Sequence, residues 1–198
     1  MEGQKEIIDE KAESVSGNSS GSGKRPKRAF DEVSPVVKIL TILIQFTWGF
    51  LQNFTGFWIM IFLGGRRHRF FRTALVTDWK MGGGMSLGMF VFMPEKLYTS
   101  VFSRIDEAKK DPEGGLGSYT GRDSRVIIHE YGHTMQSLIF GPLYLFLFAI
   151  PSVLWANLKF FVKLRRDKDL NYYRFYPERF ANFMGTKVTG RESCRKED

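Results

Sequence analysis

The sequence predicts an α+β fold, mainly α, with a membrane-associated helical core, a small β-hairpin and a disordered N-terminus. Three observations carry this. Ile39 to Gly65 holds no charge and is long enough for a buried or membrane-embedded helix. Thr73–Trp79 and Ser86–Met93 flank Gly82-Gly83-Gly84, as two strands flank a turn. Met1 to Ser34 has few large apolar residues and cannot bury enough surface to order itself.

The chain divides accordingly. Residues 1–34 form a basic, Ser/Gly-rich tail, with Ser14 to Lys24 as a flexible linker. No apolar stretch follows a short basic start, so this is not a secretory signal. Residues 35–65 are a transmembrane or membrane-embedded helix. At helical rise the uncharged run is roughly 40 Å long against roughly 30 Å of hydrocarbon, so it tilts or lies partly in the interface. Trp48 and Trp58 suit the interfaces. Residues 66–122 hold the hairpin, whose apolar second arm is covered on at least one face. A short helix at Leu97–Lys109 follows, then an exposed loop at Asp111–Gly121 with Pro112 and four glycines. Residues 123–190 open with a helix capped by Asp123 or Ser124 and running to about Phe140. Gly141-Pro142 and Ile150-Pro151 interrupt the second uncharged run, which ends at Leu158. A last helix, Pro177 to Met184, is closed by Gly185. Residues 191–198 are a polar tail.

Charge and cysteine content narrow the function classes. Net charge is +8, and the basic clusters border the apolar runs, which suits anionic headgroups. No zinc finger, helix-turn-helix or RNA-binding signature accompanies them, so nucleic acid is not the expected partner. The lone Cys194 excludes an internal disulfide and any cysteine-based metal site, leaving His and carboxylate as ligands.

The chemistry lies in His129-Glu130-Tyr131-Gly132-His133. Histidines four apart on a helix share one face and can bind one metal ion. Glu130, one position round, can reach a metal-bound water without being a ligand and act as general base. Gly132 is small and lets another element pack beside His133. A catalytic zinc takes three protein ligands and keeps an open position. His68 lies among Arg66, Arg67 and Arg69, which repel a dication. Glu178 is the better third ligand, and Asn182, one turn on, can hydrogen-bond the free nitrogen of a ligating histidine. The donor for a transition state stays open among Arg174, Tyr173 and Tyr176.

HEYGH resembles the HExGH of gluzincin metallopeptidases. Glu178-Arg179-Phe180-Ala181-Asn182 is similar to the ExxAD segment of membrane-bound M48-type peptidases, with Asn182 in place of Asp. His129 to Leu145 also looks like uncharacterised small bacterial membrane proteins. The resemblance covers about twenty residues of motif. It implies a zincin-like core, Zn2+ as cofactor, a peptide or protein substrate, and Ser86–Met93 as an edge strand that binds substrate backbone. A site-2-type intramembrane protease, with an aspartate such as Asp169 as third ligand, and a non-enzymatic membrane protein with a degenerate motif are the alternatives.

The sequence also sets a geometric condition. His129 and His133 precede the second apolar run, and Glu178 follows it. If Thr134 to Leu158 crossed a bilayer, the ligands would lie on opposite sides. The run must therefore fold back for the three residues to meet.

Overall fold

The computed structural model describes residues 31–110 and 121–194. The linker at 14–24 and most of the loop at 111–121 lie outside them. Asp31 to Ser34, expected in the disordered tail, are tied down. Arg72 N–H donates to Asp31 O at 2.7 Å, and Ser34 Oγ accepts from Val37 N–H as the N-cap of the first helix.

The uncharged run at 39–65 is not one helix. It forms α1 (Pro35–Thr47) and α2 (Phe50–Leu63), bent by 100° at Trp48-Gly49. No single helix among the described residues is long and apolar enough to cross a membrane. The break is held by polar side chains. Asn53 Nδ2 donates to Gln45 O (2.8 Å), Gln45 Oε1 (2.9 Å) and Gly49 O (2.8 Å), which fastens the start of α2 onto the end of α1.

The strands also depart from a simple hairpin. Four strands, β1 (Gly64–Phe71), β2 (Ala74–Trp79), β3 (Met85–Leu87) and β4 (Phe90–Pro94), form one sheet in the order β1-β2-β4-β3. β2 and β4 pair in parallel, with Leu75 opposite Phe90 and Trp79 opposite Pro94. The tight turns are elsewhere. Gly88, at φ 64°, opens the two-residue connection between Leu87 and Phe90 of antiparallel β3 and β4, where a positive φ favours glycine. Gly82–Gly84 span the looser crossing from β2 to β3.

β4 is covered on both faces. Val91 and Met93 join Phe71, Val76, Ile105, Ile127 and Ile128 in the main core. Phe90 and Phe92 pack on the opposite side with Trp79 and with Ile42 and Ile59 of α1 and α2. The main core lies under α3 (Glu95–Lys110) and α4 (Arg122–Phe140). α4 starts one residue before the expected caps, with Gly121 at the N-cap position, so neither Asp123 nor Ser124 caps it.

After α4 the chain turns at Gly141, passes through a π-helical turn (Leu145–Ala149) and runs into α5 (Ile150–Asn157). Ile150-Pro151 therefore does not divide the run, because Pro151 sits in the first turn of α5, where its missing N–H costs nothing. The break comes at Leu158, with ψ 122°, before α6 (Lys159–Asp167). The last helix, α7 (Tyr176–Thr189), is longer than expected at both ends. Gly185 lies inside it, and Gly190, at φ 67°, closes it.

α7 returns antiparallel to α4 at backbone contact. A Cβ on Gly132 would lie 1.9 Å from Ala181 O, and one on Gly185 would lie 2.1 Å from Ile128 O. Gly132 thus has the packing role its sequence position implied. The fold-back that the ligand spacing demanded is made by the turn at Gly141 and the α5–α6–α7 return.

Candidate metal centre

α4 presents two faces for two purposes. Ile127, Ile128, Tyr131 and Met135 enter the core. His129, Glu130 and His133 line a cavity of about 320 Å³ on the other side, with Glu178 across from them. All four of these side chains are buried. Pro177 sits in the first turn of α7 beside them, and the Gly132–Ala181 contact brings Glu178 level with the histidines.

Glu178 Oε2 is 3.1 Å from His129 Nε2 and 3.6 Å from His133 Nε2. The three ligand atoms lie within 4.8 Å of one another, so this buried group can hold a metal ion. Its hydrogen bonds fix what each atom offers. Gln136 Nε2 donates to Pro177 O at 2.8 Å, so Gln136 Oε1 must be the atom 2.7 Å from His133 Nδ1, and that nitrogen carries the proton. Asn182 Oδ1 lies 2.8 Å from His129 Nδ1 and also accepts from Ser193 Oγ. Both Nε2 lone pairs then face the carboxylate.

Glu178 Oε1 accepts a short hydrogen bond from Ser152 Oγ. Oε2 is buried with no hydrogen-bond donor in good geometry. Three acceptor atoms turned on one another repel unless a cation, a metal ion or a proton on imidazole, sits among them. Burial opposes charge on His133, but Glu178 and then Glu130 raise its pKa above the ordinary value. Burial likewise opposes charge on Glu178, yet the two histidines hold its carboxyl well below the usual range.

Glu130 stands beside the ligands and not among them. Ser86 Oγ donates to Glu130 Oε2 at 2.6 Å and approaches Glu130 O at 3.1 Å. The other carboxylate oxygen rests against Gly84, where a Cβ would come within 2.2 Å of Oε1. The glycine triplet that reads as a turn thus includes one position that leaves room for this carboxylate.

The remaining expected residues are placed as follows. His68 lies on β1, with Nδ1 2.9 Å from Thr77 Oγ1, outside the cluster. Asp169 is exposed, at φ 46°, after α6. Among the described residues, His129, His133 and Glu178 are the one group of three found in metal-binding range. Tyr173 stacks edge-on to His129, with centroids 5.3 Å apart. The Tyr176 hydroxyl is spent on Leu147 O at 2.6 Å, and Arg174 is exposed. Tyr172, which spacing did not single out, lines the cavity. Burial, then the Glu178 charge, pushes its hydroxyl far up, so it stays a donor beside Ser152 and Glu178.

The edge strand differs from what the resemblance implied. Only β3, three residues long, lies at the edge next to the site, and β4 is interior. Tyr144 Oη donates to Ser86 O at 3.0 Å, which takes up an edge carbonyl that an added strand would need.

No protein family, curated protein or solved structure matches the chain.

Proposed function

We propose that the protein is a zinc-dependent peptidase working at a membrane surface, with His129, His133 and Glu178 as metal ligands and Glu130 as general base. The convergence of two Nε2 lone pairs and an orphaned carboxylate oxygen carries this reading. Zinc bonds of about 2.0–2.1 Å set tetrahedral ligands about 3.3 Å apart. The observed 3.1 and 3.6 Å bracket that separation. The donor set, two imidazoles and one carboxylate, is one that catalytic zinc uses with an open position.

Bound there, zinc supplies a Lewis acid that brings the pKa of a water to about 7. Glu130, as general base, would take up a proton there and pass it to the leaving amine. Ser86 orients it through Oε2 and leaves Oε1 for that transfer. Asn182 and Gln136 hold the ligand rings in the Nδ1–H tautomer. Tyr172 supplies a protonated hydroxyl at the cavity wall.

Membrane association is supported by the exposed apolar residues of α1, α2 and α5 and by α6. Phe160, Phe161 and Leu164 lie on one side of α6, and Lys159, Lys163 and Arg166 on the other.

The test is metal analysis of the purified chain together with hydrolysis of a quenched fluorescent peptide library. Zinc at one per chain in the wild type and in Glu130→Gln, with hydrolysis lost in the variant, is the expected result. Retained hydrolysis in Glu130→Gln would remove the general base. Loss of metal in Asp169→Ala but not in Glu178→Ala would replace the third ligand and favour the site-2-type alternative.

A further inference from the structure

α1 and α2 are built inside out. Their buried residues are Thr41, Gln45, Gln52, Asn53 and Gly56, all polar or glycine. Apart from Thr47 and Thr55, whose hydroxyls donate back to Leu43 O and Leu51 O, their exposed side chains are apolar: on α2, Phe50, Phe54, Trp58, Ile61 and Phe62 follow one another at helical spacing. The amides face α4, where Gln45 Nε2 donates to Thr134 O at 3.2 Å and Gln52 Nε2 donates to Ser137 Oγ at 3.0 Å and to Gly141 O at 2.8 Å. A helix pair with polar groups inward and apolar groups outward matches an apolar solvent.

The geometry limits how that solvent is met. Each helix is about 20 Å long at 1.5 Å per residue. Bent by 100°, their far ends lie about 26 Å apart by this estimate, less than the roughly 30 Å of a hydrocarbon core. β1 then runs back along that separation, since eight residues of strand cover about 26 Å, and Arg72 N–H closes the circuit on Asp31 O. The segment is a triangle with two apolar sides and β1 as its base. β1 carries Arg66, Arg67 and Arg69. The Arg67 and Arg69 side chains are 40% and 35% exposed, although paired with Asp78 and Asp106. If α1–α2 crossed a bilayer, this arginine strand would have to cross with it.

We propose that the α1–α2 corner is a monotopic wedge. It seats in one leaflet of a phospholipid bilayer with β1 at the level of anionic headgroups. The apex, Trp48-Gly49, stands about 16 Å from the base by the same estimate, close to half of a roughly 30 Å core. Exposed Ile139, Leu143 and Phe146 extend the apolar surface around the apex, where Trp48 Nε1 donates to Ile139 O at 3.4 Å. Arg67 and Arg69, partly exposed beside their acid partners, complement headgroup phosphates. The inference rests on the membrane half of the proposed function and is independent of the peptidase half.

The test uses the full chain, in a Cys194→Ser background for labelling, with vesicles of phosphatidylcholine and phosphatidylglycerol. Glu32→Cys, beside the start of α1, and Lys80→Cys, next to Trp79 opposite Gly64 at the end of α2, flank the wedge. An impermeant maleimide added outside should label both to the same extent. Lipids brominated near the chain end should quench Trp48 more than Trp58, each read as the emission lost in its Phe variant, and lipids brominated near the headgroup should reverse that order. Phe54→Glu and Ile61→Glu should each lower vesicle partitioning at least about tenfold with unchanged circular dichroism. Protection of one cysteine until detergent is added would mean a span, overturning the wedge and leaving membrane association standing. Failure to partition, with zinc and hydrolysis intact, would overturn the wedge and the membrane half together but not the peptidase half. A lipid-insensitive dimer that buries Trp48 would make a second copy of the chain the occupant and would also overturn it.

Discussion

Gln136 fixes the protonation of His133. Its amide nitrogen is committed to Pro177 O at 2.8 Å, so its oxygen alone can meet His133 Nδ1 at 2.7 Å. One side chain therefore couples the tautomer of a ligand to the start of the helix that brings the third ligand. Gln136→Leu should leave the apolar core of α4 intact but weaken zinc affinity about 10- to 100-fold. Competition with a chromophoric chelator reads this directly, and unchanged affinity would show that the ring is held without Gln136.

The metal-free protein and the metal complex should respond to pH in opposite directions. His133 is held above its ordinary 6.5, with Glu178 and Glu130 outweighing burial. Its contribution to stability is complete below pH 6.5 and is lost as pH rises through the folded value. Glu178 is held below its ordinary 4.5 by the two histidines. Its contribution is present above pH 4.5 and is lost as pH falls through the folded value. The chelated protein should then have its highest Tm between the ordinary values of 4.5 and 6.5, falling towards pH 8. Zinc binding needs neutral imidazoles, so the increase in Tm on adding zinc should grow over the same rise. Thermal scans with chelator and with zinc at several pH values check both slopes.

Gly132→Ala tests the return of α7. The added Cβ would meet Ala181 O at 1.9 Å, backbone against backbone, where nothing flexible can yield. We expect a loss of about 1–3 kcal/mol and loss of stoichiometric zinc, as Glu178 moves off with α7. Gly82→Ala is the control, because a Cβ there has nothing within 4 Å. Denaturant melts and metal analysis of the pair separate a local clash from a general intolerance of alanine.

Gly84→Ala should separate metal binding from hydrolysis. Its Cβ would intrude on Glu130 Oε1 at 2.2 Å and leave the three ligands untouched. Zinc content should stay at one per chain while peptide hydrolysis falls at least about 100-fold, the scale of a lost general base. Full activity would show that Glu130 moves freely enough not to need the space.

The His129, His133 and Glu178 group that can hold a metal ion was legible in the sequence because its logic is local. Histidines four apart, a glutamate between them, a small residue beside them and a carboxylate followed by an amide one turn on are all short-range patterns. Ser86, Ser152, Tyr172 and Gln136 were not found. Ser86 and Ser152 reach the site from β3 and α5, and neither spacing nor composition marks a serine that will face a carboxylate. Gln136 lay on the same stripe as the histidines, and that was the signal available. The sheet differs from a hairpin turned at Gly82–Gly84 because Gly88 combines a positive φ with the two-residue spacing of a tight turn, whereas Gly83 has the positive φ without that spacing. The apolar run at 39–65 reads as one helix because it carries no charge. Its break lies in amides, Gln45 and Asn53, whose hydrogen bonds only the fold reveals.

The return of α7 onto α4 also sets an order of events in time. The two histidines are made on one helix and leave the ribosome together, but Glu178 follows His133 by 45 residues. A nascent chain that ends before α7 holds two of the three residues and lacks the carboxylate. It gains the third only when the last helix has been synthesised and docked, glycine against backbone. Tight metal capture would then be the final step of maturation, and a chain cut short before Glu178 would be left without it.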